Sequence, residues 1–557
     1  MQRFILLILI CVLTTIVACT SMQKVVSVTS SFTKKQLTKE EKKDWHFKDI
    51  YTDSIPGISL EKAYEFLKGK KSEKVIVAVI DTELNIDHED LKNQIWTNKD
   101  EVPNNNIDDD NNGYIDDIHG WNYVGSTEGN SRSKYYGHFE YVRIIKKYDS
   151  LFKNIVSVKE VHENRKREFV LYQKAYIAYN KRLKKAETNL EDHIVAKKRF
   201  IFGEKVLTKY LPESEEPYNI SQLDSLKQKL KDQDEIEKLD RLIHYKKHKN
   251  TLRSINNRIS LYRETIDYQL NFDFDERSLT NDNTNDLNDA PYGNNKIQGF
   301  QVFSHSTKIS SVIAATRNDT LVEGINDKVQ LMPLSISVAG NEHDKDIALA
   351  IRYAVDNGAR VINMSIGKNF SLHPEWVYEA LAYAEKHDVL VVTSSGNDGY
   401  NLDKKNNYPN DAIDGKEFLK NFIKVGNTSY KVDSILVDNS SNYGKKEVDI
   451  FAPGTKIPCL NRLRMTTDTG TSLSSAVVSG MASLLFSYYP NLTASEVKQI
   501  IMESGVSYDI MVLKPYANGE KRDPNKVPFS SLSKSGKIVN AYNALLLAEK
   551  VSKKKQR

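Results

Sequence analysis

The feature that most constrains this chain is a set of short, unbroken apolar runs separated by segments of helical periodicity. Lys74-Val75-Ile76-Val77-Ala78-Val79-Ile80-Asp81-Thr82 has no polar residue between Lys74 and Asp81. A strand of that composition must be covered on both faces, which is the position of a central strand in a parallel sheet. Further along, strands at 329–336, 360–365 and 389–394 alternate with helices at Asp344–Asp356 and 375–386. That alternation builds a right-handed parallel sheet with helices on both faces, and it puts functional side chains at the carboxyl ends of the strands. Asp81 stands at such an end.

Two further stretches carry chemistry. Asp468-Thr469-Gly470-Thr471-Ser472-Leu473-Ser474-Ser475-Ala476 delivers a serine, after a glycine turn, onto the first turn of a helix of small side chains. Unpaired N–H groups and partial positive charge at a helix start provide oxyanion-stabilising donors beside such a hydroxyl. Ser304-His305-Ser306-Thr307-Lys308 begins another small-residue helix with a histidine. The chain order is therefore Asp81, His305, Ser472, which is the order of subtilisin and not that of chymotrypsin or the α/β-hydrolases. The chain resembles the subtilisin-like serine peptidases across roughly 45–136 and 286–545, with Gly470-Thr471-Ser472 as the most specific piece.

That resemblance implies a three-layer α/β fold with a mostly parallel twisted sheet. It implies a serine endopeptidase that cleaves extended polypeptides through an acyl-enzyme, which the N-terminal segment would make exported and membrane-anchored. Asp81, His305 and Ser472 form the expected triad, and Asn397, in Ser394-Ser395-Gly396-Asn397-Asp398-Gly399, is the expected oxyanion donor. Ser365, Ile366 and Gly367, with Ser394, Ser395 and Gly396, are the expected substrate-binding walls. No cofactor enters the chemistry. The apolar or small residues of these walls point to broad recognition, not charge-selective recognition. The chain departs from the family pattern at Glu83, Ser306, Lys308 and Ala476. An extra carboxylate and an extra ammonium near the site bear on the His305 pKa, so the alternative is a catalytically impaired binding or scaffold lipoprotein.

The remaining segments set the address and the accessories. Residues 1–18 combine a basic start with an apolar run shorter than the ~20 residues that span a bilayer, which marks an export signal. Ile16-Val17-Ala18-Cys19 resembles a bacterial lipobox, with Cys19 as the lipidated residue and residues 19–44 as a tether; a plain secretory signal is the competing reading. The expected location is a membrane face, periplasmic or at the cell surface. Three cysteines and a net charge of +5 in 557 residues support neither a disulfide framework nor nucleic-acid binding. Asp108, Asp110, Asn112 and Asp116, with Gly113 at the sharp turn, match the opening of a calcium loop. The bidentate Glu of its twelfth position is missing, so a solvated Asp/Asn turn competes with structural calcium.

Residues 45–138 and 286–548 are read as the two parts of the peptidase domain, and 549–557 as a frayed basic tail. Between the parts, 139–285 is a helical insertion with leucines and isoleucines at spacings of three and four, the pattern of coiled-coil-like helices packing on each other. Its own core and its length make it the candidate surface for a protein partner. Residues 281–295, rich in Asn and Asp, read as a flexible return. His193, His244 and His248 within the insertion are expected to be solvated.

Overall fold

The structure is a computed structural model that describes residue 28 and residues 36–556, except 128, 213–216, 300, 301, 319, 414 and 518. The export signal, Cys19 and most of the tether therefore lie outside the described residues. Nine strands form one sheet: β1 (Val75–Asp81), β2 (Trp121–Asn122), β3 (Val329–Ser335), β4 (Val361–Met364), β5 (Leu390–Ser394), β6 (Phe422–Thr428), β7 (Ile450–Pro453), β8 (Val506–Ser507) and β9 (Lys537–Ile538). Their spatial order is β8-β9-β7-β6-β5-β4-β1-β3-β2, parallel throughout except for the β8–β9 pair. The apolar runs of the sequence occupy its centre.

The helices follow as α1 (Leu60–Leu67), α2 (Glu140–Phe152), α3 (Lys166–Tyr210), α4 (Ile220–Lys229), α5 (Gln233–Lys247), α6 (Leu252–Glu264), α7 (His305–Ala314), α8 (Asp344–Asp356), α9 (Pro374–Lys386), α10 (Thr471–Tyr488), α11 (Ala494–Ser504) and α12 (Ala541–Lys555). Period-two alternation divides the sheet residues between two cores. Val75, Val77 and Val79 of β1 join the layer containing α1, α7, α10, α11 and α12, while Ala78 and Ile80 join the layer containing α8 and α9. This is the expected three-layer α/β architecture.

Three boundaries differ from the sequence reading. Leu37 is already buried in the first core and Glu41–Asp44 is helical, so contact with the domain begins inside the expected tether. Val28 sits in a small satellite core, where its backbone brackets Ser507 and Asp509 with bonds of 3.0 and 2.9 Å. The expected frayed tail is largely the last turns of α12. Ser552 is buried there and Lys555 bonds the Glu496 carboxylate at 2.8 Å, while the run of lysines complements the negative end of the helix.

The insertion is two structures joined by α3, a 45-residue helix about 68 Å long at 1.5 Å per residue. At its far end, Phe200, Val206 and Leu207 pack with Leu223, Leu226, Leu239, Leu242, Ile243, Ile255 and Ile259 from α4, α5 and α6. At its near end, α2 and the start of α3 share a core with Phe370 and Leu372 of the sheet domain. Ion pairs reinforce this junction. Glu140 pairs with Arg143 (2.7 Å) and Lys368 (3.1 Å), and Arg143 pairs with Glu276 (2.8 Å). Arg277, partly buried, and Lys345, fully buried, pair with Asp346 and Asp282 at 2.9 Å each. The Asn/Asp-rich return is therefore tied down by buried charge pairs and is no loose linker, because Lys345 also bonds the carbonyl of Asn283.

Candidate active site

The sheet fixes the first component. Asp81 is the last residue of β1 and 1% exposed; its Oδ1 accepts the Thr82 N–H at 2.7 Å. His305 opens α7 and faces it, with Nδ1 2.8 and 2.7 Å from Oδ1 and Oδ2 of Asp81. The start of α7 is pinned by the Ser306 N–H donating to Thr82 Oγ1 at 3.1 Å, so carboxylate and imidazole are held by adjacent backbone. Burial favours the neutral ring, but the Asp81 carboxylate outweighs it and raises the His305 pKa above its ordinary value.

Ser472 is the second residue of α10, a helix that reaches the middle of the molecule because its buried face is small. Ser474, Ser475, Ala476, Ser479 and Gly480 are fully buried. A Cβ at Gly480 would lie 2.8 Å from Ile325, and one at Gly454 would lie 2.1 Å from Ser474 Oγ, so both positions need glycine for close approach. The half-buried Ser472 hydroxyl donates to the Ser365 carbonyl at 3.3 Å and not to His305. Hydroxyl-to-imidazole bonds of this kind are commonly long without substrate. Asn397 is oriented by the same helix start: its Oδ1 accepts from the Thr471 N–H (2.9 Å) and Thr471 Oγ1 (3.1 Å). Its amide nitrogen is thereby left for the cleft, near the Ser472 N–H, while the Thr471, Leu473 and Ser474 N–H groups are already bonded to Asn397 and Gly470.

Asp81, His305, Asn397 and Ser472 line one cleft of about 290 Å³ with Ser365, Ile366, Gly367, Ser394 and Gly396. Ser395 does not line it. That residue is fully buried and its hydroxyl donates to the Asn442 carbonyl at 3.2 Å, because period-two alternation turns it to the opposite side from Ser394. Ser365 contributes backbone more than side chain, since its hydroxyl braces α10 through Ser475 Oγ at 2.9 Å.

Sequence reasoning missed Glu342, Asn369, Asp398 and Asn407, which also line the cleft. They make it more polar than the wall residues suggested. Asp398 was visible next to Asn397, whereas Glu342 and Asn407 sit in loops with no local pattern. Glu342 is buried, accepts from Ser337 Oγ at 2.8 Å, and is pushed above the usual carboxylate range by that burial.

The departures from the family pattern are accommodated. Glu83 is buried, accepts from Ser126 Oγ at 3.1 Å, and lies against Gly299, where any Cβ would stand 2.0 Å from its Oε2. The extra carboxylate is thus packed away from the cleft. Lys308 forms a 2.7 Å ion pair with Asp468, and the two act on His305 in opposite directions. Ala476 is enclosed in the core.

The calcium loop folds differently from its expected ligand set. Carboxylate oxygens of Glu101, Asp110 and Asp117 come within 4.8 Å of one another. Asp116 instead accepts the Asn105 and Asn106 N–H groups, at 3.2 and 3.0 Å. Asp108 accepts from Asn112 and Gly113, and the Asn112 amide donates to Asp110 and Asp117. In the insertion, the His244 and His248 rings meet at a tilt of 42° with centroids 4.4 Å apart, and His193 bonds its own helix carbonyl. Cys459 is buried, which pushes its thiol up to about 12.

The chain is similar in sequence to known serine proteases. The cell wall-associated protease of Bacillus subtilis (strain 168) is 30% identical over 233 residues, covering 40% of this chain and 24% of that protein. A thermophilic serine proteinase of Bacillus sp. (strain AK1) is 31% identical over 209 residues, 36% of this chain and 46% of its own length. Subtilisin DY of Bacillus licheniformis is 29% identical over 196 residues, 35% of this chain and 67% of that protein. The chain thus spans about a quarter of the first relative and under half of the second. The model of the subtilase family matches residues 72–527, most of the sequence, and the chain belongs to that family.

Proposed function

We propose that this protein is a serine endopeptidase that hydrolyses extended polypeptides, with Asp81, His305 and Ser472 as its triad. The observation that carries the reading is the 2.7 Å contact between Asp81 and His305 in the same cleft as Ser472 and Asn397. Ser472 Oγ attacks the peptide carbonyl while His305 Nε2 takes its proton; Asp81 orients the ring and stabilises its cation. The oxyanion is held by the Ser472 N–H and the Asn397 amide. His305 then gives its proton to the leaving amine, and water, deprotonated by the same ring, releases the acyl group. A fluorophosphonate probe should label Ser472 in wild-type protein and not after Ser472→Ala. The scaffold alternative draws on one observation, the Ser472 hydroxyl bonding Ser365 in place of His305. Absence of both labelling and cleavage would establish it.

Two accessory features belong to the proposal. The protein is exported and anchored through lipid at Cys19, and Cys19→Ser should release it from the membrane fraction. Among the described residues no helix is long and apolar enough to cross a membrane. Calcium binds the 101–117 loop through Glu101, Asp110 and Asp117; hard carboxylate oxygens at this spacing suit that ion, which supplies rigidity and takes no part in the chemistry. Chelation should lower the unfolding temperature, and Asp110→Ala should abolish the difference.

A further inference from the structure

Between the two walls of the cleft lies a pocket whose floor is a single carboxamide. A methyl group built at Gly367 would stand 3.2 Å from Asn407 Nδ2, and one built at Gly396 would stand 3.5 Å from the same atom. The Asn407 side chain therefore sits between the segments leaving β4 and β5, with Ser472 on the rim of the same cleft. Its position is fixed by the next residue, because Tyr408 and Lys368 exchange backbone hydrogen bonds of 2.8 and 2.9 Å.

Asn407 is only 5% exposed, yet its Oδ1 is buried with no hydrogen-bond partner. A buried polar atom left unpaired is costly, and nearly all such atoms in folded proteins are satisfied. One that borders a substrate cleft is explained if its partner arrives with the substrate. A half-turn of the amide exchanges its oxygen and nitrogen, so the floor can turn either an acceptor or a donor to the cleft. The uncharged side chain that can answer either is another carboxamide.

Charge around the pocket argues against the alternatives. Behind the floor, the buried Lys424 ammonium bonds the Asn407 backbone carbonyl at 3.3 Å with Glu447, Asp411 and Asp449 around it, so the floor gives a cationic side chain no carboxylate of its own to pair with. An anionic one would pass Asp398 and Glu342, which line the same cleft. An aliphatic one would leave the Asn407 amide desolvated and still unpaired.

We infer that Asn407 selects glutamine or asparagine as the residue whose carbonyl Ser472 attacks, an inference that rests on the peptidase reading above. Sites built to hydrogen-bond a substrate group reject the analogue that lacks it, whereas a plain apolar pocket discriminates weakly. The test uses the full chain and peptide anilides identical except at the cleaved residue, with near-isosteric pairs Gln/Met and Asn/Leu and single Lys and Glu members. The expected result is kcat/KM at least about tenfold higher for the carboxamide member of each pair, with Lys and Glu below both. Asn407→Leu should reverse the order within each pair, and Asn407→Asp should bring Lys to the top. The comparison within the unsubstituted enzyme stands even if either variant misfolds. Equal or better cleavage after Leu and Met, with Ser472 still labelled by fluorophosphonate, overturns the role of Asn407 and leaves the peptidase reading intact. Loss of both labelling and cleavage in the unsubstituted enzyme overturns the peptidase reading, and this inference with it.

Discussion

In the sheet, each strand sends alternate side chains to two different helical layers, so β1 serves both cores at once through Val77 and Ala78. In the insertion, α5 and α6 each pack against the far part of α3 and α4 packs on α5, so one small core serves the whole tip. The near half does neither. The root adds buried charge to its apolar contact, with Glu140, Arg143, Glu276, Arg277 and Asp282 facing Lys345, Asp346 and Lys368 of the sheet domain. Lys368 follows the cleft wall at Gly367, and the Glu342 carbonyl accepts from both Lys368 and Arg143. An inserted segment can thus be autonomous at its tip and structural to the active site at its root. Deleting all of 139–285 would strip counter-charges from the sheet domain, while trimming only the tip would not.

The largest effect that sets sheet against insertion is chemical. Ser472→Ala or His305→Ala should lower turnover by about 10⁶-fold, and Asn397→Ala by about 10²–10³-fold, with the fold unchanged by circular dichroism. A loss of similar size from any substitution in the tip would break the distinction.

Next comes the root of the insertion. Arg143→Met leaves Glu140 and Glu276 buried against one cation fewer, at a cost of about 3–5 kcal/mol. Because Arg143 also bonds the Glu342 carbonyl, both global stability and cleavage should fall. Denaturant unfolding followed alongside peptide hydrolysis would check this; normal hydrolysis by the variant would show the root to be as separable as the tip.

A comparable cavity in the tip should act locally. Leu239 is fully buried among α3, α4 and α5, and Leu239→Ala should cost about 2–5 kcal/mol there. Hydrogen exchange should rise across 190–260, while Ser472 labelling is retained. Uniform destabilisation of the sheet would contradict an independent tip.

The smallest effect lies at His305, the proposed general base. The ring must be neutral to accept the serine proton, and the Asp81 carboxylate raises its pKa. Cleavage should therefore fail on the acid side with a midpoint above the ordinary value of 6.5. Lys308 works against this by repelling the imidazolium. Lys308→Met should therefore move the acid limb to higher pH and Asp468→Asn should move it lower, each by a fraction of a unit in the kcat/KM profile.

What the sequence made legible follows the reach of each interaction. Asp81, His305, Asn397 and Ser472 are each announced by a strand end, a helix start or a glycine turn within a few residues. Ser395 was misassigned because it belongs to the same motif as Ser394 but faces the other way. Asn407 and Glu342 carried no local signal, since they reach the cleft only through contacts with Lys368 and Ser337. The tip of the insertion was readable from its leucines. Its root was not, because the partners of Arg277 and Glu140 lie 69 and 228 residues further along, at Asp346 and Lys368. At the calcium loop the motif indicated acidity correctly, but Asp116, at a positive φ of 53°, turns to the backbone while Asp117 takes its place in the cluster.

The bracket that holds Val28 against Ser507 and Asp509 turns the proposed lipid into a matter of reach. Val28 lies nine positions after Cys19, and even fully extended that stretch spans no more than about 32 Å. With an acyl chain on Cys19, the enzyme would therefore be moored by its β8 edge on a short leash. Its catalytic cleft would sweep only a thin shell of space above the lipid headgroups, and polypeptides would have to enter that shell to be cut.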